Sequence, residues 1–333
     1  MRIERFDPAG DKASLRACYE VESAATAVDD PAGPGDSLRS FGQWLANGWS
    51  GAPVETWLAP GAAPASADGW YMIQLSAKDN QDLAFLALYV HPDRRREGLG
   101  TGLLRHAAER ARADGRSLLT AFAWQDSPGA AFARARGGVP SSVIEIRRVL
   151  HVGAAAVKRL ESLRAEARRM SAGYSIVSWQ LPTPEEHLEQ VAKIRAALDD
   201  APHPESWEPI RWDANRVRDL DRRSQEQEMR RYSVAARHDA TGELVGLTEI
   251  DLDPSRPEWG FQGLTAVLPP HRGHRLGLLL KVAMQDLLAQ AEPGLLHIVT
   301  GNADANSPMV AINEALGYQI LGKPARSWEF RLA

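Results

Sequence analysis

The chain has a single cysteine, Cys18, in 333 residues. That excludes an intrachain disulfide framework and a multi-cysteine zinc cluster, fits a reducing compartment, and predicts a buried, inert thiol. Long apolar runs are missing too. No stretch approaches the roughly 18 residues of a membrane span, and the N-terminal MRIERFDPAGD lacks a signal-peptide core. A soluble, cytoplasmic protein with no membrane partner is expected. Neither sign of charge is in excess, with 39 Lys and Arg against 43 Asp and Glu. The short basic cluster Arg94, Arg95 and Arg96 has no flanking aromatics for base stacking, so no nucleic-acid partner is expected. The phosphate-loop ending Gly-Lys-Ser/Thr and the three-glycine dinucleotide fingerprint are absent as well, which disfavours nucleotide hydrolysis and Rossmann chemistry.

What is present is a duplication. Val90, Arg95, Leu99 and Gly100 recur 177 positions later as Val267, Arg272, Leu276 and Gly277. A repeat this long implies two copies of a whole domain rather than a solenoid. Each copy reads as α/β: strands at 54–58, 71–75 and 83–90, then a basic-glycine turn, a helix from 98 to 115 and a strand at 118–123, with the same order from 174 onward. The expected division is a first domain at 1–152, a connecting helix within 153–172 with apolar positions at Val157, Leu160, Leu163 and Ala167, and a second domain at 173–333.

A strand that feeds a glycine turn and then a helix offers unpaired N–H groups and a positive helix end to one anion. Gly98 and Gly100 allow close backbone approach, and the arginines add charge-assisted contacts to an outer phosphate. A helix N-terminus carrying solvated arginines is the plain alternative for either copy alone; the recurrence favours phosphate binding.

Both turns resemble the acyl-CoA motif of the GNAT superfamily of N-acetyltransferases, Arg/Gln-x-x-Gly-x-Gly/Ala. Arg95-Arg96-Glu97-Gly98-Leu99-Gly100 matches it throughout; Arg272-Gly273-His274-Arg275-Leu276-Gly277 departs at Arg275. The tandem arrangement is similar to that of two-domain members such as the mycothiol synthases. The resemblance implies two tandem GNAT-like domains, each a mixed twisted sheet flanked by helices, with acetyl-CoA as acyl donor. It implies that the fourth and fifth strands splay, with the pantetheine arm against the backbone of 88–90 and 265–267. The implied cofactor contacts are Leu88, Val90, Arg95, Arg96, Gly98, Leu99, Gly100 and Thr101 in the first half. In the second they are Val267, Arg272, Gly273, His274, Arg275, Leu276, Gly277 and Asn306. The family's later motif keeps Asn306 and the Gly317-Tyr318 ending, with Asn313 where a thiolate-protonating tyrosine usually stands. The first half has Asp126, Ala133 and Gly138 at these places and reads as eroded for chemistry.

Acetyl transfer to an amine needs a group that takes the ammonium proton. On the fourth strand, the position where some family members carry a base corresponds to Phe261, and to Ala84 in the first half; neither can serve. Glu249, an acid within the apolar strand 244–252, is the candidate, as a base or an amine contact; a solvent-facing strand-edge carboxylate is the alternative. Asp251 and Glu258 are weaker candidates. Trp207, Trp212 and Trp259 either line a substrate pocket or pack the second core. His271 and His274, two apart on a loop, do not make a metal site alone, and no metal is expected. The reading is an acetyl-CoA-dependent N-acetyltransferase, monomer or homodimer, acting by direct attack of a small-molecule primary amine in the second domain. The alternative is a CoA-binding or regulatory protein without catalysis.

Overall fold

The computed structural model describes residues 1–48 and 54–332. The chain begins with β1 (Glu4–Phe6), α1 (Lys12–Asp29), α2 (Leu38–Asn47), β2 (Val54–Pro60), β3 (Ala67–Leu75) and β4 (Leu83–Val90). It continues through α3 (Leu99–Ala113), β5 (Leu118–Trp124), α4 (Pro128–Ala135) and β6 (Val139–Pro140). Next come β7 (Glu145–His151), α5 (Ala154–Met170), β8 (Tyr174–Gln180), α6 (Leu188–Ala196), α7 (Ala214–Glu226), β9 (Arg230–His238) and β10 (Leu244–Leu252). The last elements are β11 (Trp259–Val267), α8 (Leu276–Ala291), β12 (His297–Ala303), α9 (Ser307–Leu316), β13 (Gln319–Ile320) and β14 (Ala325–Arg331). Local chemistry sets many of the ends. Asp11, Ser37 and Asp213 accept backbone N–H bonds at the starts of α1, α2 and α7, and Gly317, at φ 93°, ends α9.

Two compact units result, Met1–Ile144 with Pro204–Glu208 and Gly322–Ala333, and Glu145–His203 with Pro209–Leu321. They are not the contiguous segments bounded at 152 and 173, because each half of the sequence supplies the last strand of the other unit's sheet. In the first unit the order is β1-β2-β3-β4-β5-β14, and β14 pairs with β5 along its whole length, from Ala325/Trp124 to Arg331/Leu118. In the second the order is β8-β9-β10-β11-β12-β7, with β7 paired from Glu145/Ala303 to His151/His297. Both sheets are antiparallel except for the central pairs β4/β5 and β11/β12, so each is the mixed sheet expected from the sequence. The helix α5, expected as a connector, belongs to the second unit, where Leu160 and Leu163 pack on the core that α8 covers.

In the first unit, alternation along β4 directs Ala84 and Leu86 to the α3 side, where Leu103, Leu104, Ala107 and Ala111 meet them. Ala87 and Tyr89 face α1 and α2, with Cys18, Phe41 and Trp70. Cys18 is fully buried, and burial pushes its thiol up, as an inert core residue requires. Among the described residues no helix is long and apolar enough to cross a membrane.

Candidate active site

In each unit the central parallel pair stops early. β4 and β5 pair from Leu83/Leu118 to Leu86/Ala121, and β11 and β12 from Trp259/His297 to Gln262/Thr300. Beyond these points β4 runs on to Val90 with β3, and β11 to Val267 with β10. Residues 88–90 and 265–267 therefore present one backbone edge to a gap, the segments that the family resemblance implies.

The turn after each strand uses two left-handed residues. They are Arg96 (φ 71°) and Gly98 (φ 86°) in the first copy, Gly273 (φ 87°) and Arg275 (φ 55°) in the second. Each copy supplies one glycine and one arginine, in opposite order, so the departure at Arg275 leaves the backbone path unchanged. The first turns of α3 (Leu99, Gly100, Thr101) and α8 (Leu276, Gly277) have N–H groups without helical partners and suit a phosphate. At Gly277 an added Cβ would lie 3.0 Å from Ile312, so glycine there lets α9 close on α8.

The arginines divide their work. Arg95 clips the turn to the fold: its guanidinium pairs with Asp29 through two 2.9 Å bonds and reaches the Val90 carbonyl at 3.4 Å. Arg272 repeats the device, with the Val267 carbonyl at 3.0 Å and Asp200 at 2.6 Å. Arg275 pairs with Glu166 at 3.0 Å, whereas Arg96 is exposed and makes no ion pair among the described residues. The His274 carbonyl accepts from Ser171 at 2.7 Å. His271 meets the Tyr174 hydroxyl at 3.0 Å; burial, then His238 and His274, hold its pKa below the ordinary value.

The units differ where the gap opens. β3 and β4 keep unbroken register. β10 and β11 slip between Thr248/Thr265 and Ile250/Gln262, so Gly263 and Leu264 oppose Glu249 alone in a β-bulge. Its extra residue corrects the sequence comparison. Leu252 faces Gly260 where Leu75 faces Ala84, so Phe261 corresponds to Phe85 and Gln262 to Leu86. The first residues past the last parallel pair are Gly263 and Gly301; both are exposed, and a Cβ on either would meet nothing within 4 Å. In the first unit those places hold Ala87 and Phe122. There the Trp207 ring packs 5.5 Å from Phe85 and 6.4 Å from Phe122, a residue that is itself 47% exposed. Asn80 and Glu208 fix that segment: Glu208 N–H donates to Asn80 Oδ1 at 2.7 Å and Asn80 N–H to Glu208 Oε2 at 3.0 Å. Trp207, assigned from sequence to the second half's substrate side, thus belongs to the first unit.

Glu249 is 3% exposed and is not a solvent-facing edge carboxylate. Arg195 of α6 holds its Oε2, Ser233 lies 3.5 Å from its Oε1, and the Arg195 guanidinium lies 4.9 Å over Trp212. Asp251 is bound to Arg231 at 2.8 Å, and burial outweighs that arginine in raising its pKa. Asn306 stands at the N-cap of α9 with its side chain making no capping bond. Asn313 is fully buried and donates to Asn302 at 2.7 Å. Trp259 packs 4.4 Å from the His297 ring.

Two titratable groups that burial shifts strongly, Lys281 and Glu22, are among those not apparent from the sequence. Lys281 on α8 is 2% exposed, and burial brings its amine down to about 7. A lone cation in the apolar run LGLLLKVAM was its visible signal. Glu22 on α1, which resembles a surface acid in sequence, is pushed up to about 8 by burial and then Asp36.

Residues 67–137 match the acetyltransferase (GNAT) family model. A tandem GNAT protein from the clavulanic acid biosynthesis pathway is similar over 100% of this chain and 98% of its own, at 27% identity and a TM-score of 0.81. A GCN5-related N-acetyltransferase from Sphaerobacter thermophilus matches 99% of this chain and 95% of its own, at 16% identity and a TM-score of 0.69, a likeness of fold. No curated protein sequence matches. Two tandem domains of GNAT fold are the architecture that the resemblance of the two turns implies.

Proposed function

Taking two tandem GNAT domains, and with them acyl transfer, as the premise, we propose an acetyl-CoA-dependent N-acetyltransferase. It acts on a primary amine of a small molecule by direct attack, as a soluble cytoplasmic monomer or homodimer, with the C-terminal domain catalytic and the N-terminal domain cofactor-binding or structural. One contrast carries the division of labour: the strand gap opens onto free space at Gly263 and Gly301 beside a bulge, whereas in the first unit the same places carry the side chains of Ala87 and Phe122, the latter in ring contact with Trp207, and there is no bulge. The residues present fit the donor. The α3 and α8 N-termini suit its phosphates, Arg96 remains for an outer phosphate, and Leu88, Val90 and Val267 offer backbone to the amide-bearing arm. His274 and Asn306 complete the second site. Acetyl-CoA supplies the acyl thioester. The ammonium proton of pKa about 10 passes to a base, the neutral amine nitrogen bonds to the acyl carbon, the C–S bond breaks, and the second proton shed by the nitrogen is taken up by the departing thiolate, so CoA leaves as thiol. Glu249 is proposed as that base, with its oxygens freed from Arg195 as an acceptor enters.

The test is thiol release from acetyl-CoA across a broad amine panel, with Glu249→Gln measured on any substrate found. Release by the wild type and a loss of about 100-fold or more in kcat for the variant support the assignment. An unchanged variant removes Glu249 from the chemistry. Tight acetyl-CoA binding without release favours a CoA-binding or regulatory protein, a reading that the Glu249–Arg195 pair and Asn313 support.

A further inference from the structure

We propose that Lys281 is a positioning residue that holds the β11 bulge in shape through Gln262, and so sets the geometry of the open end of the strand gap. This rests on the reading of that opening as the place of acyl transfer. A bulge leaves carbonyls out of the ladder, and buried carbonyls need donors. Here side chains provide them. Gln262 Nε2 donates to the Glu249 carbonyl at 3.0 Å and to Thr248 Oγ1 at 2.8 Å. The Thr248 hydroxyl in turn lies 3.2 Å from the Leu264 carbonyl and 2.7 Å from Thr265 Oγ1. The Glu249 carbonyl can only accept, so the Gln262 amide turns its NH2 group toward it and leaves Oε1 facing the helix. Lys281 Nζ donates to that oxygen at 3.3 Å. The lysine thereby fixes which way the amide points, and the amide caps the bulge.

The first unit supplies the contrast. Leu86 stands where Gln262 does; Tyr71 and Leu104, each 177 residues earlier, stand where Thr248 and Lys281 do. There β4 has no bulge. The polar chain and the bulge occur together in one unit and are missing together from the other. Burying an ammonium costs more than packing the leucine that fills this place in the first unit, so Lys281 does not serve stability. The groups packed on Nζ are the Gln262 amide from β11 and the Tyr318 ring, 5.2 Å away. Burial alone accounts for the fall of its pKa. The Glu249 carboxylate is engaged by Arg195 of α6.

The experiment is amide NMR of the full chain without ligand, titrated from roughly pH 5.5 to 8.5, on either side of the Lys281 midpoint of about 7. In the wild type the Gly263 and Leu264 amides shift with a midpoint near 7. Lys281→Met abolishes that titration, and so does Gln262→Leu, which keeps the lysine but cuts its link to the bulge. Amides that titrate alike in wild type and Lys281→Met overturn the proposal, as does titration that survives Gln262→Leu. Thiol release tests the underlying reading separately. With a turned-over amine, Lys281→Met lowers kcat about tenfold or more at little change in acetyl-CoA KM. Titrating amides in a wild type that releases no thiol leave the coupling standing and sink the transferase reading.

Discussion

Arg275 occupies the left-handed backbone position that Gly98 holds in the first copy, at φ 55° against 86°. The turn conserves a shape rather than a residue, and the position of its glycine is a choice between two equivalent places. A motif match that scores Arg275 as a defect therefore underrates the second cradle.

Stability tests this directly. Gly98→Ala places a Cβ at a left-handed φ with open space around it, so backbone strain alone costs about 1 kcal/mol. Arg275→Gly relieves similar strain, which offsets the freedom gained by the unfolded chain and the loss of an exposed pair with Glu166, so it stays within about 0.3 kcal/mol of wild type. Denaturant midpoints of the two variants provide the comparison; an Arg275→Gly protein as destabilised as Gly98→Ala would rule out the equivalence.

The crossed strands give a second expectation. Removing residues 322–333 takes from β5 its partner β14 along with Trp328, which packs on Ala130 and Ala133. Hydrogen exchange should show protection lost in β5 and α4 while β9, β10 and β11 keep theirs. By the same logic, a fragment starting at 173 lacks β7 and leaves β12 with an open edge. Selective loss in the second unit after the C-terminal deletion would contradict the assignment of β14.

Lys281 should weaken the protein in a defined pH window. Its amine holds a proton less firmly when folded, at about 7, than the ordinary 10.5. Between these values the unfolded chain binds the proton and the folded chain does not. Wild-type stability therefore rises as pH climbs from about 7 toward 10.5, and below 7 it carries the full penalty of about 4–5 kcal/mol. Lys281→Met should melt above wild type at pH 7, with an advantage that shrinks toward pH 10. A pH-independent difference between the two would show that the amine titrates normally.

What the sequence made legible follows the range of the interactions. β4, β10 and α5 have the bounds that their apolar runs and flanking turns predict, because strand and helix periods are local. The mutual exchange of β7 and β14 is not local: an alternating segment such as ARSWEFR fits either sheet edge equally well, and the reading from sequence stops at Gly317 before reaching it. The bulge is hidden for another reason. The spacing of 177 holds along β10 and through the turn, but on the first part of β11 the bulge shifts it by one, so a fixed offset pairs Phe261 with the wrong residue of the first copy. Alternation correctly put Glu249 on the side of Leu247, but its partner Arg195 lies 54 residues away, on a helix whose docking no local pattern reveals.

The open end of the strand gap offers the sharpest division between the halves. Gly263→Val adds methyl groups where nothing lies within 4 Å, so stability should stay within about 0.5 kcal/mol while the new side chain fills the space an acceptor needs. Thiol release should fall about 100-fold or more, with the number of acetyl-CoA sites counted by calorimetry unchanged. Trp207→Ala removes the ring beside Phe85 and Phe122 in the first unit and should leave thiol release as it was. If transfer survives Gly263→Val and responds instead to Trp207→Ala, the chemistry belongs to the first domain.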